Sequence, residues 1–254
     1  MDPAQRLLLE RGYEALHSSK NDRAALEGSV TGVFLGMSPG DYGQILAASP
    51  AGSSVYASTS SSASVASGRL AYSLGLHGAC VAYDTACSAS LTACHAGLRA
   101  VQLVECSKGL VAGINLIFTP HVHMALAVAG MTSRSGRCHT LDARADGYAR
   151  GEACGAVALC GSVADALGLL GSAVRQDGRS ASLTAPNGQA QQGLLVAALA
   201  DADTAAAALA LSEAHGTGTA LGDPIEVGSL AAAVLTEREA ALPAGGAKAN
   251  IGHA

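Results

Sequence analysis

Cys87 lies in Tyr83-Asp84-Thr85-Ala86-Cys87-Ser88-Ala89-Ser90, between a short apolar run and a helical pattern. A thiol turns nucleophilic where positive potential stabilises its thiolate, and the first turn of a helix supplies that potential. Val81 and Tyr83 predict a buried strand before Cys87. Leu91, Cys94, Leu98 and Val101 then recur at helical spacing. Cys87 is therefore expected at a strand-to-helix junction, where free amides could also bind an oxyanion. A small buried cysteine closing a core helix has the same local pattern, so spacing alone leaves both readings open.

A second set is Glu213-Ala214-His215-Gly216-Thr217-Gly218-Thr219. An apolar run ends there, and a histidine follows on a loop that alternates Gly with Thr. Such loops let backbone and substrate approach closely and gather catalytic residues. Gly222-Asp223-Pro224-Ile225-Glu226 follows as a helix start, with Asp223 as N-cap, Pro224 at the first helical position and Glu226 closing a capping box. Val227, Leu230 and Val234 would form the buried face. A third set, Lys248-Ala249-Asn250-Ile251-Gly252-His253, places a cation and an imidazole around a small turn. By itself it reads as a frayed tail.

The elements that must hold these residues can be sketched from periodicity. Leu7, Leu8, Leu9, Tyr13 and Leu16 predict an amphipathic helix over 5–17, and Val30 to Leu35 a strand. The Ser-rich stretch 52–68 fits either a linker or a packed segment of small residues. Gly109 to Ser133 carries no Asp, Glu, Lys or Arg, but Asn115, Pro120, His121 and His123 divide it. It reads as a buried strand over 110–118, a turn, and a buried helix or strand, not a membrane span. Val174 to Arg179 reads as a strand end and turn. Residues 193–211 suggest a helix, a break and an apolar element leading into Glu213. Alternating strand and helix signals point to α/β layering.

Composition narrows the class. The chain has 254 residues, is 49% hydrophobic and only 3% aromatic, without Trp, so its core must be built from Ala, Val and Leu. A net charge of −5 disfavours an extended nucleic-acid footprint. Seven cysteines without a Cys-x-x-Cys pair, and no secretory leader, read as reduced thiols of an intracellular, cytoplasmic protein.

Taken together, the three sets resemble β-ketoacyl synthases, the condensing enzymes of fatty-acid and polyketide assembly, and the polyketide type most closely. The likeness is carried by Asp84 to Ser88, His215 to Thr219 with Gly222 to Glu226, and Lys248 to His253. Asp2 to Glu10, Asp146 to Glu152, Gln176 to Arg179 and Leu183 to Gly188 add to it, in the family's order. The resemblance implies a thiolase-like α-β-α-β-α sandwich. Residues 1–160 would be the half with the nucleophile, and 161–254 the start of the half with both histidines. It implies that Cys87 takes the acyl chain as a thioester. His215 and His253 promote decarboxylation of a malonyl-type extender. Lys248 and Glu226 support them, and Thr217 and Thr219 lie near the phosphopantetheine arm. No metal or cofactor of its own is expected. The implied partners are an acyl carrier protein, a second copy in a homodimer and other synthase domains.

The chain departs from the family pattern at Ala89, where a serine is common, and in a short stretch between Leu159 and Gly171. The family also has a strand-bearing segment before Asp2-Pro3, and strands and a Gly-Phe-Gly-Gly-type loop after the last histidine. The resemblance thus implies a piece of a longer ketosynthase, poorly active alone. The other readings weighed are a non-catalytic partner subunit, a Cys-His hydrolase, and a zinc site from His121, His123, Cys138 and His139, whose spacing matches no common motif.

Overall fold

The structure is a computed structural model that describes residues 1–19, 21–38, 40–161 and 166–254, with Glu237 described by its backbone alone. The chain divides into two compact units. One comprises Met1–Val122, Glu152–Ala166 and Ala254, and the other His123–Gly151 and Leu167–His253. The short stretch noted between Leu159 and Gly171 lies partly outside the described residues.

The first unit is built around a four-stranded sheet. Its helices and strands run α1 (Pro3–Ser18), α2 (Arg23–Leu26), β1 (Thr31–Gly36), α3 (Tyr42–Ala47), α4 (Ala57–Ser60), α5 (Ala63–Leu74), β2 (Cys80–Tyr83), α6 (Ala89–Gln102), β3 (Lys108–Asn115) and, after α7 (His121–Val128), β4 (Ala153–Cys160). The sheet order is β2-β1-β3-β4, with β1 parallel to β2 and β3, and β4 antiparallel to β3. Strand β1 is buried on both faces, as a central parallel strand must be. Val33 and Leu35 pack with Leu8 and Leu16 of α1 and Leu70 and Leu74 of α5, while Phe34 packs with Ala93 and Ala100 of α6. The sheet therefore carries α1 and α5 on one face and α6 on the other.

The predicted helix over 5–17 and the strands at Val30–Leu35, Val81–Tyr83 and 110–118 are all found, but the Val81–Tyr83 strand, expected buried, leaves Val81 37% exposed and Tyr83 half-buried. The Ser-rich stretch is packed structure: Ser60, Ala66 and Ser67 are buried, and Ser60 accepts the Asp2 amide through its carbonyl at 3.0 Å. Helix α6 follows the predicted spacing but turns its smaller residues to the sheet, and the expectations for α7 and for Val174 to Arg179 fail. The buried face of α6 is Ala89, Ala93, Gly97, Leu98 and Ala100, whereas Leu91 is 76% exposed. Small residues win because a Cβ at Gly97 would lie 2.9 Å from Val111, so larger side chains cannot face the sheet. Helix α7 buries none of its residues, although it was expected buried. Val174 to Arg179 forms no strand; it is irregular backbone that turns at Gly178 with φ +62°.

The second unit holds α8 (Gly188–Asp201), β5 (Ser212–Glu213), α9 (Gly222–Ala233), β6 (Ala244–Gly245) and α10 (Lys248–Ile251). Asn187 caps α8 by accepting the amides of Gln189 and Ala190. The break expected after α8 occurs at Asp203, whose φ is +46°. Ala206, Ala233 and Val234 form its core with Leu195, Leu199, Leu209, Leu230 and Leu242 packed round them. Of the predicted apolar face of α9, Val234 is buried and Leu230 packs against the core, but Val227 is 42% exposed, and Ser229 and Ala233 are buried beside them. Strands β5 and β6 pair in parallel, Ser212 with Ala244 and Glu213 with Gly245. This short pairing brings the chain ends that carry His215 and Lys248 side by side.

Candidate active site

The Cys87 turn belongs to the first unit. Strand β2 ends at Tyr83, and Ala86-Cys87-Ser88 forms one 3-10 turn that runs into α6. Ala86 has φ +51°, a conformation that costs a non-glycine residue on the order of 1–3 kcal/mol and persists only where surroundings enforce it. Asp84 helps enforce it: its Oδ1 accepts the Ser38 hydroxyl at 2.7 Å and the Ala86 amide at 3.3 Å. The Ser88 hydroxyl donates to the Thr85 carbonyl at 2.9 Å.

From below, two glycines set the height of this turn. Gly36 and Gly113 are paired across β1 and β3. A Cβ at Gly36 would lie 2.5 Å from the backbone of Ala89 and Ser90, and one at Gly113 2.1 Å from the Ser90 hydroxyl. The first turn of α6 thus rests directly on the sheet. Its Ser88 side chain makes no capping bond, so no side chain competes there for the helix amides. Cys87 is exposed. Its thiol thus stands open to solvent at the turn that leads into α6.

The two histidines belong to the second unit. His215 follows β5, and its amide donates to Glu226 Oε1 at 2.5 Å; the Gly216 amide donates to Oε2 at 2.8 Å. Glu226 is therefore not the capping-box residue expected from the sequence. Helix α9 begins at Gly222, and its cap residue Leu221 makes no side-chain bond. The acids of its first turn bind the preceding loop instead. Asp223, expected as N-cap, is buried and accepts the amides of Gly218 (3.1 Å) and Thr219 (3.2 Å) on Oδ1 and of Leu141 (2.8 Å) on Oδ2. Carboxylates are favoured at this end of a helix by its dipole, and bonds to a charged acceptor are the strong ones.

His253 is held by backbone. Its amide donates to the Ala149 carbonyl at 2.7 Å, and its carbonyl accepts the Gly151 amide at 2.6 Å. It is buried, not frayed. Its ring stands nearly perpendicular to that of His215, at 87° with centroids 5.4 Å apart, and the Tyr148 ring meets it edge-on with centroids 5.2 Å apart. Nδ1 of His253 is buried without a hydrogen-bond partner. Lys248 opens α10, and the Ala247 amide before it donates to Glu213 Oε1 at 2.7 Å.

Electrostatics keep both imidazoles neutral. Burial, then the neighbouring His215 and Lys248, pushes His253 down to about 4. His215 is exposed as a residue, yet its ring is hemmed in by protein. That desolvation, then Lys248, lowers it below 6.5 against the opposing pull of Glu226 and Asp223. A neutral imidazole at neutral pH has one N–H to donate and one lone pair to accept with. A pair of them can hold negative charge that develops on an oxygen.

Of the residues singled out in the sequence, His215, His253, Lys248, Glu226, Thr217 and Thr219 all fall in the second unit. The Thr219 hydroxyl accepts the Gly222 amide at 3.2 Å, and Thr217 is buried. Asp223 and Tyr148 escaped sequence reasoning. Asp223 was absorbed by the capping pattern, and Tyr148 stood in a family-like stretch with no role attached. Two of the residues weighed as zinc ligands have other engagements within the second unit: Cys138 Sγ accepts the Ala149 amide at 3.3 Å, and His139 Nε2 meets the Ser135 hydroxyl at 3.2 Å.

Comparison with known proteins adds to this geometry. Residues 1–165 match the family model "Beta-ketoacyl synthase, N-terminal domain", and residues 168–254 match "Beta-ketoacyl synthase, C-terminal domain". The whole chain is 44% identical to the spectinabilin polyketide synthase system protein NorC of Streptomyces orinoci, covering 12% of it. It is 43% identical to erythronolide synthase EryA2 of Saccharopolyspora erythraea, covering 7% of that protein. Among solved structures, it superimposes over its full length on the oxazolomycin ketosynthase domain OzmH KS7 of Streptomyces albus JA3453 (TM-score 0.91, 35% identity, 45% of that chain). It does so too on the ketosynthase from module 6 of the bacillaene synthase of Bacillus subtilis 168 (TM-score 0.89, 31% identity, 45% of that chain). The expected thiolase-like α/β fold is thus found. The chain spans less than half of those solved chains and about an eighth or less of these curated relatives.

Proposed function

Because the chain belongs to the β-ketoacyl synthase family, we propose that it is a polyketide-synthase ketosynthase that joins an acyl unit to a malonyl-type unit by decarboxylative condensation. The observation that carries this reading is the perpendicular pair His215 and His253, both biased to the neutral form and one of them anchored by the Glu226 carboxylate.

The Cys87 thiolate attacks the carbonyl of an acyl thioester, the carrier thiol leaves, and the acyl group stays on Cys87. A malonyl-type thioester then loses carbon dioxide, and the electron pair of the broken bond becomes an enolate. The N–H groups of His215 and His253 hold the enolate oxygen. Its α-carbon attacks the Cys87 thioester, a carbon–carbon bond forms, and the Cys87 thiolate departs. Loss of carbon dioxide generates the nucleophile, so no base has to take a proton from carbon. That is why a Cys-His-His set serves without a triad acid. Burial chiefly keeps both imidazoles neutral, the Lys248 charge adds to it, and Glu226 fixes the His215 turn.

In this reading residues 1–160 carry the nucleophile and 161–254 the decarboxylating pair. Substrates arrive on the phosphopantetheine arm of an acyl carrier protein, with Thr217 and Thr219 along its path, and no resident cofactor takes part. The protein works as a homodimer alongside other synthase domains, as a β-ketoacyl-[acyl-carrier-protein] synthase type acyltransferase. Seven free cysteines suit a reducing cytoplasm.

The test is done on the full-length protein. A radiolabelled acyl thioester is expected to label it at Cys87 and to leave Cys87→Ala unlabelled. Malonyl-carrier is expected to release carbon dioxide with the native protein and at least about 100-fold more slowly with His253→Ala, as for loss of an oxyanion donor. Equal labelling of Cys87→Ala, or carbon dioxide release indifferent to His253, would contradict the proposal.

A further inference from the structure

A short strap, Cys138-His139-Thr140, reaches both histidines through different bonds. At one end the buried Cys138 thiol accepts the Ala149 amide, and the Ala149 carbonyl receives the His253 amide at 2.7 Å. At the other end the Thr140 hydroxyl donates to the Gly216 carbonyl at 2.5 Å, one residue beyond His215. The Thr140 methyl occupies the space that two glycines leave open: a Cβ at Gly216 would lie 2.5 Å from it, and one at Gly246 2.8 Å. Gly216 itself turns with φ +48°. The strap is closed against the histidine loop by two further bonds, Leu141 amide to Asp223 and Gly147 amide to the Gly218 carbonyl at 2.9 Å.

We infer that Thr140 is a positioning residue for the histidine pair: its hydroxyl and methyl fix the His215 turn against the strap whose other end holds the backbone of His253. This rests on the proposed condensation, in which both imidazoles must meet one developing oxyanion. Glu226 grips the amides of residues 215 and 216, and Thr140 grips the carbonyl of 216 from the opposite side. Without the second grip the peptide between Gly216 and Thr217 loses the bond that fixes its carbonyl. Nothing in the acylation of Cys87 calls on that grip, so the two half-reactions respond differently.

The experiment compares Thr140→Val and Thr140→Ser in the full-length protein. Val keeps the shape and removes the hydroxyl, while Ser keeps the hydroxyl. Thr140→Val is expected to lower kcat for malonyl-carrier decarboxylation about 10-fold or more, with KM and the rate of Cys87 acylation within about twofold of native. Thr140→Ser is expected to recover most of the lost rate. Native decarboxylation by Thr140→Val overturns the inference, as does an equal fall in both half-reactions that Thr140→Ser does not restore. Histidine-selective NMR titration supplies a readout independent of turnover. The His215 and His253 rings should titrate closer to 6.5 in Thr140→Val and as native in Thr140→Ser; superimposable native and Val curves overturn the inference. If the native protein neither acylates Cys87 nor releases carbon dioxide, the functional reading fails, and the titration alone decides the role of Thr140.

Discussion

At the scale of single residues, charge state is the property on which the chemistry turns. Both imidazoles titrate below their ordinary value. Decarboxylation should therefore hold its rate as pH falls from 7.5 to 6.5 and fail only below that. A pH–rate profile of carbon dioxide release checks this; an apparent pKa above 6.5 would contradict it. The same shift has a stability consequence. With a folded value near 4 against 6.5 unfolded, His253 binds more protons in the unfolded chain between those limits. Its contribution is fully present above 6.5 and lost as pH falls toward 4. The urea midpoint should drop between pH 7 and 5, and drop less in His253→Gln. Glu226 gives a third prediction. Glu226→Gln loses the charge behind two amide bonds and should slow decarboxylation by about 10- to 100-fold while sparing Cys87 acylation. The three motifs taken together singled out Cys87, His215 and His253, whereas each alone left Cys87 open and read His253 as a frayed tail. The Asp-Pro-x-Glu pattern at a helix start misled at Glu226, because it satisfies the capping pattern, and only the loop folded beside α9 reveals that the Glu226 carboxylate accepts the amides of His215 and Gly216 instead.

At the scale of elements, the Cys87 turn depends on how closely α6 descends onto the sheet. Gly36 meets backbone of Ala89 and Ser90, which cannot swing aside, whereas Gly113 meets the Ser90 side chain. Gly36→Ala should therefore cost more stability than Gly113→Ala, on the order of 1–3 kcal/mol against less, as for overpacking. Denaturant unfolding measures the costs. The rate at which a thiol reagent labels Cys87 should change in step, since lifting α6 moves the turn away from the helix amides. Elements with large apolar residues were legible: α1 through its leucines, β1 and β3 through their β-branched runs. Those built from small residues were not. The spacing of Leu91, Cys94, Leu98 and Val101 revealed α6 as a helix but not the face it turns to the sheet, because Ala93, Gly97 and Ala100 carry little hydrophobic signal, although close approach to the sheet requires just such residues. Strand β4, Ala-Cys-Gly-Ala-Val-Ala-Leu-Cys, gave only a Gly/Ala-rich impression for the same reason.

At the scale of the whole molecule, the order of motifs along the chain was the most legible feature, and the fold it implied is the one found. Less legible was the division of labour. The second unit is assembled from two distant stretches, His123–Gly151 and Leu167–His253, so the strap that steadies the histidines comes from sequence about 70 residues before His215. No periodicity links such segments; a bond such as Thr140 to Gly216 exists only once the chain has folded back. Among the described residues no helix is long and apolar enough to cross a membrane, although Gly109 to Ser133 lacks charged side chains, because the stretch is split between β3 and α7.

The central claim is that Cys87 receives an acyl chain which the histidine-stabilised enolate then takes away as a new carbon–carbon bond. Intact-protein mass spectrometry follows both halves in one experiment: the full-length protein is loaded with an acyl thioester, then given malonyl-carrier. The account predicts an acyl adduct on Cys87 that disappears as a β-ketoacyl mass, lengthened by two carbons, appears on the carrier. Discharge of the adduct as free acid with the carrier still malonylated would contradict it.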